Sequence, residues 1–252
     1  ALERRDSITR RGYLDSIITV VDTTTFLHFY RDRDLTPLLR DQVATADLVV
    51  LNKFDRADRS QRRKTLRAVR AINREAVHGS AEYGRFPVKE IIETGRRERP
   101  NRYENSENVQ TGSVPTTDRG GTHPPANPSF RPLIARVLQE ERPLSPSRFD
   151  AWLNSDWPGV VRVKGYFWLA SDMEHVYVVD AAGPQREIGM EGTWYAALPH
   201  GERPNDREIV AAIERGADGD RRQAISLIGV PEAVERELKA LRACLLSGPE
   251  LD

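Results

Sequence analysis

Two short β-branched runs, Ser16 to Val21 and Leu48 to Leu51, do most to narrow the folds open to this chain. Each has the length of a strand and is largely apolar, the texture of a strand buried on both faces of a parallel sheet. Between them Thr36-Pro37 marks a helix start, with the threonine as N-cap and the proline at the first helical position, where its missing N–H is not needed. Leu38, Leu39 and Val43 then fall on one face, and the helix is expected to end near Ala46. Strand, crossover helix and strand in this order pair in parallel with a right-handed crossover. Ligands of such sheets sit in the loops at the carboxyl ends of the strands.

The second run ends in Asn52-Lys53-Phe54-Asp55, an NKxD loop of the kind that reads guanine. A carboxylate at the Asp55 position accepts from both the ring N–H and the exocyclic amine of guanine, a donor pair that adenine lacks. In that reading the Lys53 stem lies along the base and Asn52 ties neighbouring loops together. Ser80-Ala81 follows the next expected strand, Glu75 to Ser80, and stands where a small pair backs a guanine through a main-chain N–H. Asp22 closes the first run, either facing a ligand or serving as a capping or loop acid. The phosphate cradle GxxxxGK[ST] that accompanies such a loop is missing, because no Gly-Lys dipeptide occurs in these residues. No catalytic residue and no metal ligand is assigned.

A length of 252 residues suits two ordinary domains, and 38% hydrophobic with 30% charged residues describes a globular chain. A formal net charge of zero removes any global basic field that would draw in nucleic acid or an anionic membrane. The single cysteine, Cys244, excludes a disulfide or a thiolate zinc cluster within these residues and fits a cytoplasmic setting. No run of 18 apolar residues occurs, so no membrane span is expected, and the opening residues lead to no expectation of a secretory signal. The opening ALERRDSITR lacks a methionine and reads as the remainder of something longer.

Ser60 to Arg74 carries Leu66, Val69 and Ile72 as an inward stripe with arginines and Lys64 outward, read as a solvated face rather than a nucleic-acid surface. Pro87 to Thr94 is expected as a short helix stopped by Gly95. From Arg96 to about Ser129 the composition is polar and rich in Pro, Gly, Asn and Thr, a flexible linker by its balance of burial and entropy. Beyond it come a strand at Phe130 to Leu138, a helix opened by Ser145-Pro146, and the strand Gly159 to Ala170 with a hairpin partner at Val176 to Asp180. Ile188 and Trp194 to Leu198 suggest further short strands, and Asp206 to Arg215 a helix. Ala224 to Gly229 reads as a strand, and Pro231 opens a final helix lined by Val234, Leu238, Leu241 and Leu245. All four tryptophans, Trp152, Trp157, Trp168 and Trp194, fall in this second half and are read as core. His28 and His123 receive no role.

LDSIITVVD, DQVATADLVVLNKFD and AEYGRFPVKEIIETG in the first half resemble the CobW family of GTPases, relatives of HypB and UreG. RPLSPSRFDAWL, WPGVVRVKGYFWLA, GTWYAALP, DRRQAISLIGV and LKALRACLLS in the second resemble the CobW C-terminal domain. The resemblance implies an α/β protein: a partial P-loop-type parallel sheet with helices over 1–95, a linker over 96–129, and a smaller α+β domain over 130–252. It implies a G3E-type GTPase that couples GTP to delivery of zinc or cobalt to a metalloprotein client. The Walker A loop, Cys-x-Cys-Cys motif and Glu-x-x-Gly element of that family have no counterpart in these residues. Asn52, Lys53 and Asp55 carry over as nucleotide-binding positions, and the metal and magnesium positions map onto nothing. The chain by itself is then expected to be an inactive, truncated form. The alternative is an interaction module that completes itself with a separate P-loop polypeptide or docks a client.

Overall fold

The computed structural model describes residues 14–96, 132–216 and 218–247. They form two compact units, and the division does not follow chain order: His28–Thr36 belongs to the second unit, while the chain up to Leu27 and from Pro37 to the described end at Arg96 forms the first. The expected linker at 96–129 lies outside the described residues apart from Arg96.

The first unit is built on a three-stranded parallel sheet of β1 (Ile18–Asp22), β2 (Leu48–Asn52) and β3 (Val77–Ser80), with β2 in the middle. Leu48, Val49, Val50 and Leu51 are all buried, as the unbroken apolar run of β2 requires. The register sets Asp22 beside Asn52 and Leu51 beside Ser80, so three strands deliver their carboxyl ends to one edge. Helix α1 (Thr36–Ala44) buries Val43, and α2 (Arg59–Ile72) buries Thr65 and Val69. Asp58 caps α2, its carboxylate accepting the Gln61 N–H at 2.8 Å.

Two local expectations for residues 36–94 are corrected. Thr36 does not cap α1 as an acceptor; its hydroxyl donates backward to the carbonyls of Tyr30 (2.9 Å) and Asp32 (2.6 Å). Pro87 to Thr94 is no helix beyond a single 3-10 turn at Val88–Glu90. The Asp15 carboxylate takes the Thr94 N–H and hydroxyl and the Gly95 N–H at 2.8–2.9 Å, so a distant side chain holds this segment's end instead of helical bonds.

The second unit is a five-stranded antiparallel sheet in the order β4-β8-β5-β6-β7: β4 (Ile134–Glu140), β5 (Val160–Leu169), β6 (Asp172–Ala182), β7 (Gln185–Thr193) and β8 (Gln223–Gly229). Alternate residues of β8, Gln223, Ile225, Leu227 and Gly229, are buried, which is the period of two that a half-covered sheet demands. Helices α3 (Pro146–Leu153) and α5 (Pro231–Ala243) supply Phe149, Trp152, Val234, Leu238 and Leu241 to the core. At Gly165 the strands approach so closely that a Cβ would stand 2.0 Å from the Ala224 carbonyl oxygen, so only glycine fits there. A short helix α4 (Arg207–Ile213) is capped by Asp206.

The four tryptophans are buried, at 8% exposure or less. Trp152 stacks on Trp157 with centroids 4.5 Å apart, and the Arg186 guanidinium lies 3.9 Å from the Trp157 centroid. Trp194 also lines a cleft of about 600 Å³ with Tyr166, Arg215 and Arg222, so it serves core and surface at once. Trp194 to Leu198, expected as a strand, is instead a turn ending in a 3-10 helix at Tyr195–Ala197. The Asp220 carboxylate accepts the Tyr195 and Ala196 N–H groups at 3.1 and 2.8 Å, drawing both away from any strand partner.

Where β5 turns into β6, the Asp172 carboxylate gathers the Tyr177 hydroxyl at 2.6 Å, the His175 ring Nδ1 at 2.9 Å and the N–H groups of Glu174 and His175. The Tyr177 hydrogen bond, more than any other contact, holds its carboxyl well below the usual carboxylate range. A depressed carboxylate stabilises the fold above its unfolded pKa of about 4 and loses that contribution as pH falls below it. Asp172→Asn should therefore lower the urea midpoint at pH 7, and the gap to the parent chain should narrow between pH 5 and about pH 2. A gap of the same size across that range would contradict this reading of the hairpin.

Candidate functional site

At the carboxyl edge of the parallel sheet, β2 ends in Asn52, whose main-chain carbonyl accepts the Thr23 N–H at 3.0 Å and the Thr23 hydroxyl at 2.7 Å. Its side-chain oxygen accepts the Gly84 N–H at 3.0 Å, so one residue ties the loops after β1 and β3 to the end of β2. Gly84 has φ +72°, a conformation that costs a side-chain-bearing residue but not glycine.

Lys53 follows in the left-handed region, φ 53° and ψ 36°. A lysine there carries local strain on the order of 1 kcal/mol or more, of the sort that persists where surrounding contacts fix it and that gathers at ligand sites. Its ammonium is held 2.8 Å from Asp22 Oδ2. The other Asp22 oxygen accepts the Thr24 N–H at 2.9 Å and the Thr24 hydroxyl at 2.5 Å. Partial burial alone would raise the Asp22 carboxyl, but the Lys53 and Thr24 donors outweigh it and hold the group below its ordinary value.

Phe54–Arg56 forms a 3-10 turn, pinned where the Phe54 N–H donates to the Ala81 carbonyl at 3.1 Å. The Arg62 guanidinium covers the Phe54 ring, 4.6 Å from its centroid. Asp55 Oδ1 is buried and has no hydrogen-bond partner among the described residues. A buried carboxylate oxygen left without a donor is costly, so its presence calls for an external donor or another account.

Ser80 ends β3 exposed and Ala81 is buried beside it. The Ala81 N–H donates to the Leu51 carbonyl at 2.9 Å, so this pair anchors the loop to the sheet and Ala81 has no main-chain donor left over. Asn52, Lys53, Asp55, Ser80 and Ala81 thus converge on one edge. Sequence reasoning left Asp22 open; its register position opposite Asn52 is what makes it the Lys53 partner, and that register follows only from the pairing. The Arg62 cover on Phe54 and the Gly84 tether carried no sequence signal. Among the described residues, no group of three or more His, Cys, Asp or Glu is placed to hold a metal ion. No helix among them is long and apolar enough to cross a membrane.

The described residues thus hold a parallel α/β unit with an NKxD loop at its strand ends and an antiparallel α+β unit. Residues 1–78 match the model of the CobW/HypB/UreG nucleotide-binding domain, and residues 134–245 match that of the cobalamin synthesis protein cobW C-terminal domain. The chain belongs to the CobW-like family of G3E GTPases.

Over 262 residues it is 29% identical to the zinc-regulated GTPase metalloprotein activator 1 of Dictyostelium discoideum, covering 94% of this chain and 53% of that protein. Over 146 residues it is 30% identical to a zinc chaperone of Mycobacterium tuberculosis, covering 53% of this chain and 37% of that protein. The chain therefore spans about half or less of the length of these curated relatives. Among solved structures, the Zn(II)-bound YjiA GTPase from E. coli is similar at 16% identity and a TM-score of 0.34, over 97% of this chain and 66% of that one.

Proposed function

We propose that these residues carry the guanine-selecting corner and the C-terminal domain of a GTP-dependent zinc-delivery protein that serves a metalloprotein client in the cytoplasm. The observation that carries the nucleotide half of this reading is the orphaned, buried Asp55 Oδ1 beside Asn52 and Lys53. Guanine presents two adjacent N–H donors, one of which would serve the unpartnered Oδ1. The delivery half rests on the family and on the zinc named in the relatives from Dictyostelium and Mycobacterium. Zinc is cargo in this reading, with cobalt the other metal the family implies.

The corner reads the base, and the phosphate cradle GxxxxGK[ST] does not occur in this sequence. Charge-assisted hydrogen bonds contribute about 1.5–3 kcal/mol each. Lacking several of them lowers affinity by at least roughly a thousandfold, leaving binding on the order of millimolar. Hydrolysis also needs a positioned magnesium ion and water. The 252-residue chain should release no phosphate from GTP above the buffer rate. Turnover that survives purification and vanishes on Asp55→Ala would overturn this.

A second reading, an interaction module, is favoured by β1. Its outer edge has no strand partner among the described residues, and Val20 on it is 63% exposed. Unpaired edges recruit other chains.

A further inference from the structure

Helix α2 presents a line of cations that the guanine reading does not use. At about 100° per residue, Arg59, Arg63, Arg67 and Arg70 fall within an arc of roughly 80°, on the side away from the buried Thr65 and Val69. All four are exposed. None makes an ion pair or hydrogen bond through its side chain with a described residue, although the chain as a whole has as many acids as bases. Like charges at i,i+4 destabilise a helix, so Arg59, Arg63 and Arg67 oppose the structure they sit on. A local conflict of this sort, kept where nothing among the described residues compensates it, marks a surface whose partner is elsewhere.

The line has specific chemistry. Every cation within the arc is an arginine, while Lys64 lies outside it and Arg62 is committed to Phe54 and the Ala57 carbonyl. Arginine forks pair with carboxylates two bonds at a time, which a lysine does not do. Successive arginines step about 6 Å along the axis for four residues, the same step at which carboxylates recur on one face of another α-helix. The arc holds no aromatic ring on which a base would stack and no apolar side chain to enter a bilayer. Zero net charge also gives the chain no long-range pull on a polyanion.

We propose that the arginine line of α2 is a docking surface for a partner protein's helix that carries carboxylates at i,i+3 and i,i+4 spacing. The proposal is independent of the guanine corner. It is tested on the full chain with a synthetic Ala-based helical peptide bearing glutamates at that spacing, against a peptide of the same composition with its glutamates spread around the helix. Exposed ion pairs each shift affinity by a few-fold, so four in register should favour the first peptide by at least about tenfold. Arg63→Glu with Arg67→Glu should abolish that preference, and since the changes pair position 63 with Arg59 at i,i+4 and position 67 with Arg70 at i,i+3, offsetting the new like-charge contact between 63 and 67, the helix should remain, as circular dichroism would show. Arg63→Lys with Arg67→Lys should keep only part of it. Equal binding of both peptides, a preference unchanged in the glutamate variant, or tighter binding at the same salt to duplex DNA or to phosphatidylserine vesicles would overturn the proposal.

Discussion

Replacing Asp55 with asparagine should move the base preference of the first unit from guanosine to xanthosine, with guanosine binding falling by at least about tenfold. The argument is one of donors and acceptors. The Asp55 carboxylate only accepts, and its buried Oδ1 has no donor within the described residues. Guanine presents two N–H groups side by side, and each charge-assisted bond is stronger than a neutral one. An asparagine keeps one acceptor and introduces an NH₂, which faces the guanine amine as donor against donor. Xanthine replaces that amine with a carbonyl, so the mismatch becomes a hydrogen bond. Asp55→Asn is nearly isosteric and leaves the Phe54–Ala81 anchor untouched. Competition between the two nucleosides, followed by ligand-observed NMR, reads the exchange. Equal loss of both would show that Asp55 supports the loop without touching a base.

Phe167→Ala should cost about 3–5 kcal/mol, a large share of the roughly 5–15 kcal/mol that holds a domain folded. Phe167 is fully buried on β5, its ring centroid 4.5 Å from Phe149 and 5.7 Å from Tyr177. It therefore joins a helix to two strands, and the space it leaves is walled by elements too rigid to close it. Tryptophan fluorescence reports the second unit selectively, because all four tryptophans belong to it. The expected result is a melting midpoint lowered by roughly 10 °C or more. A drop of less than 2 °C would mean that this core repacks freely, which its interdigitated rings do not suggest.

The elements that could be read in advance are those whose cause is local. β1, β2, the β5–β6 hairpin and α5 follow from apolar period and length, signals contained within a dozen residues. The NKxD loop was legible for the same reason, since its chemistry lies in adjacent side chains. The misreadings share a different cause. Pro87 to Thr94 looks helical in isolation, but its end is held by Asp15, 79 residues away from Thr94. Trp194 to Leu198 has the composition of a strand, but Asp220 captures its N–H groups from 25 residues beyond Tyr195. His28–Thr36 joins the second unit because the Asp32 carboxylate takes the Gly159 N–H at 2.6 Å and Leu35 enters that core. Pattern and propensity say nothing of such long-range partners. Asp22 lies between these cases: its strand was legible, its partner was not.

The most direct test of the central claim is a titration of the isotope-labelled chain with guanosine and, separately, with adenosine. Guanosine should shift the amides of Phe54, Asp55, Arg56, Ala81 and Gly84 in a saturable way with a Kd on the order of millimolar, while adenosine leaves them in place. Equal shifts with both nucleosides, or none at Asp55 with either, would contradict the reading of this strand edge as a guanine site.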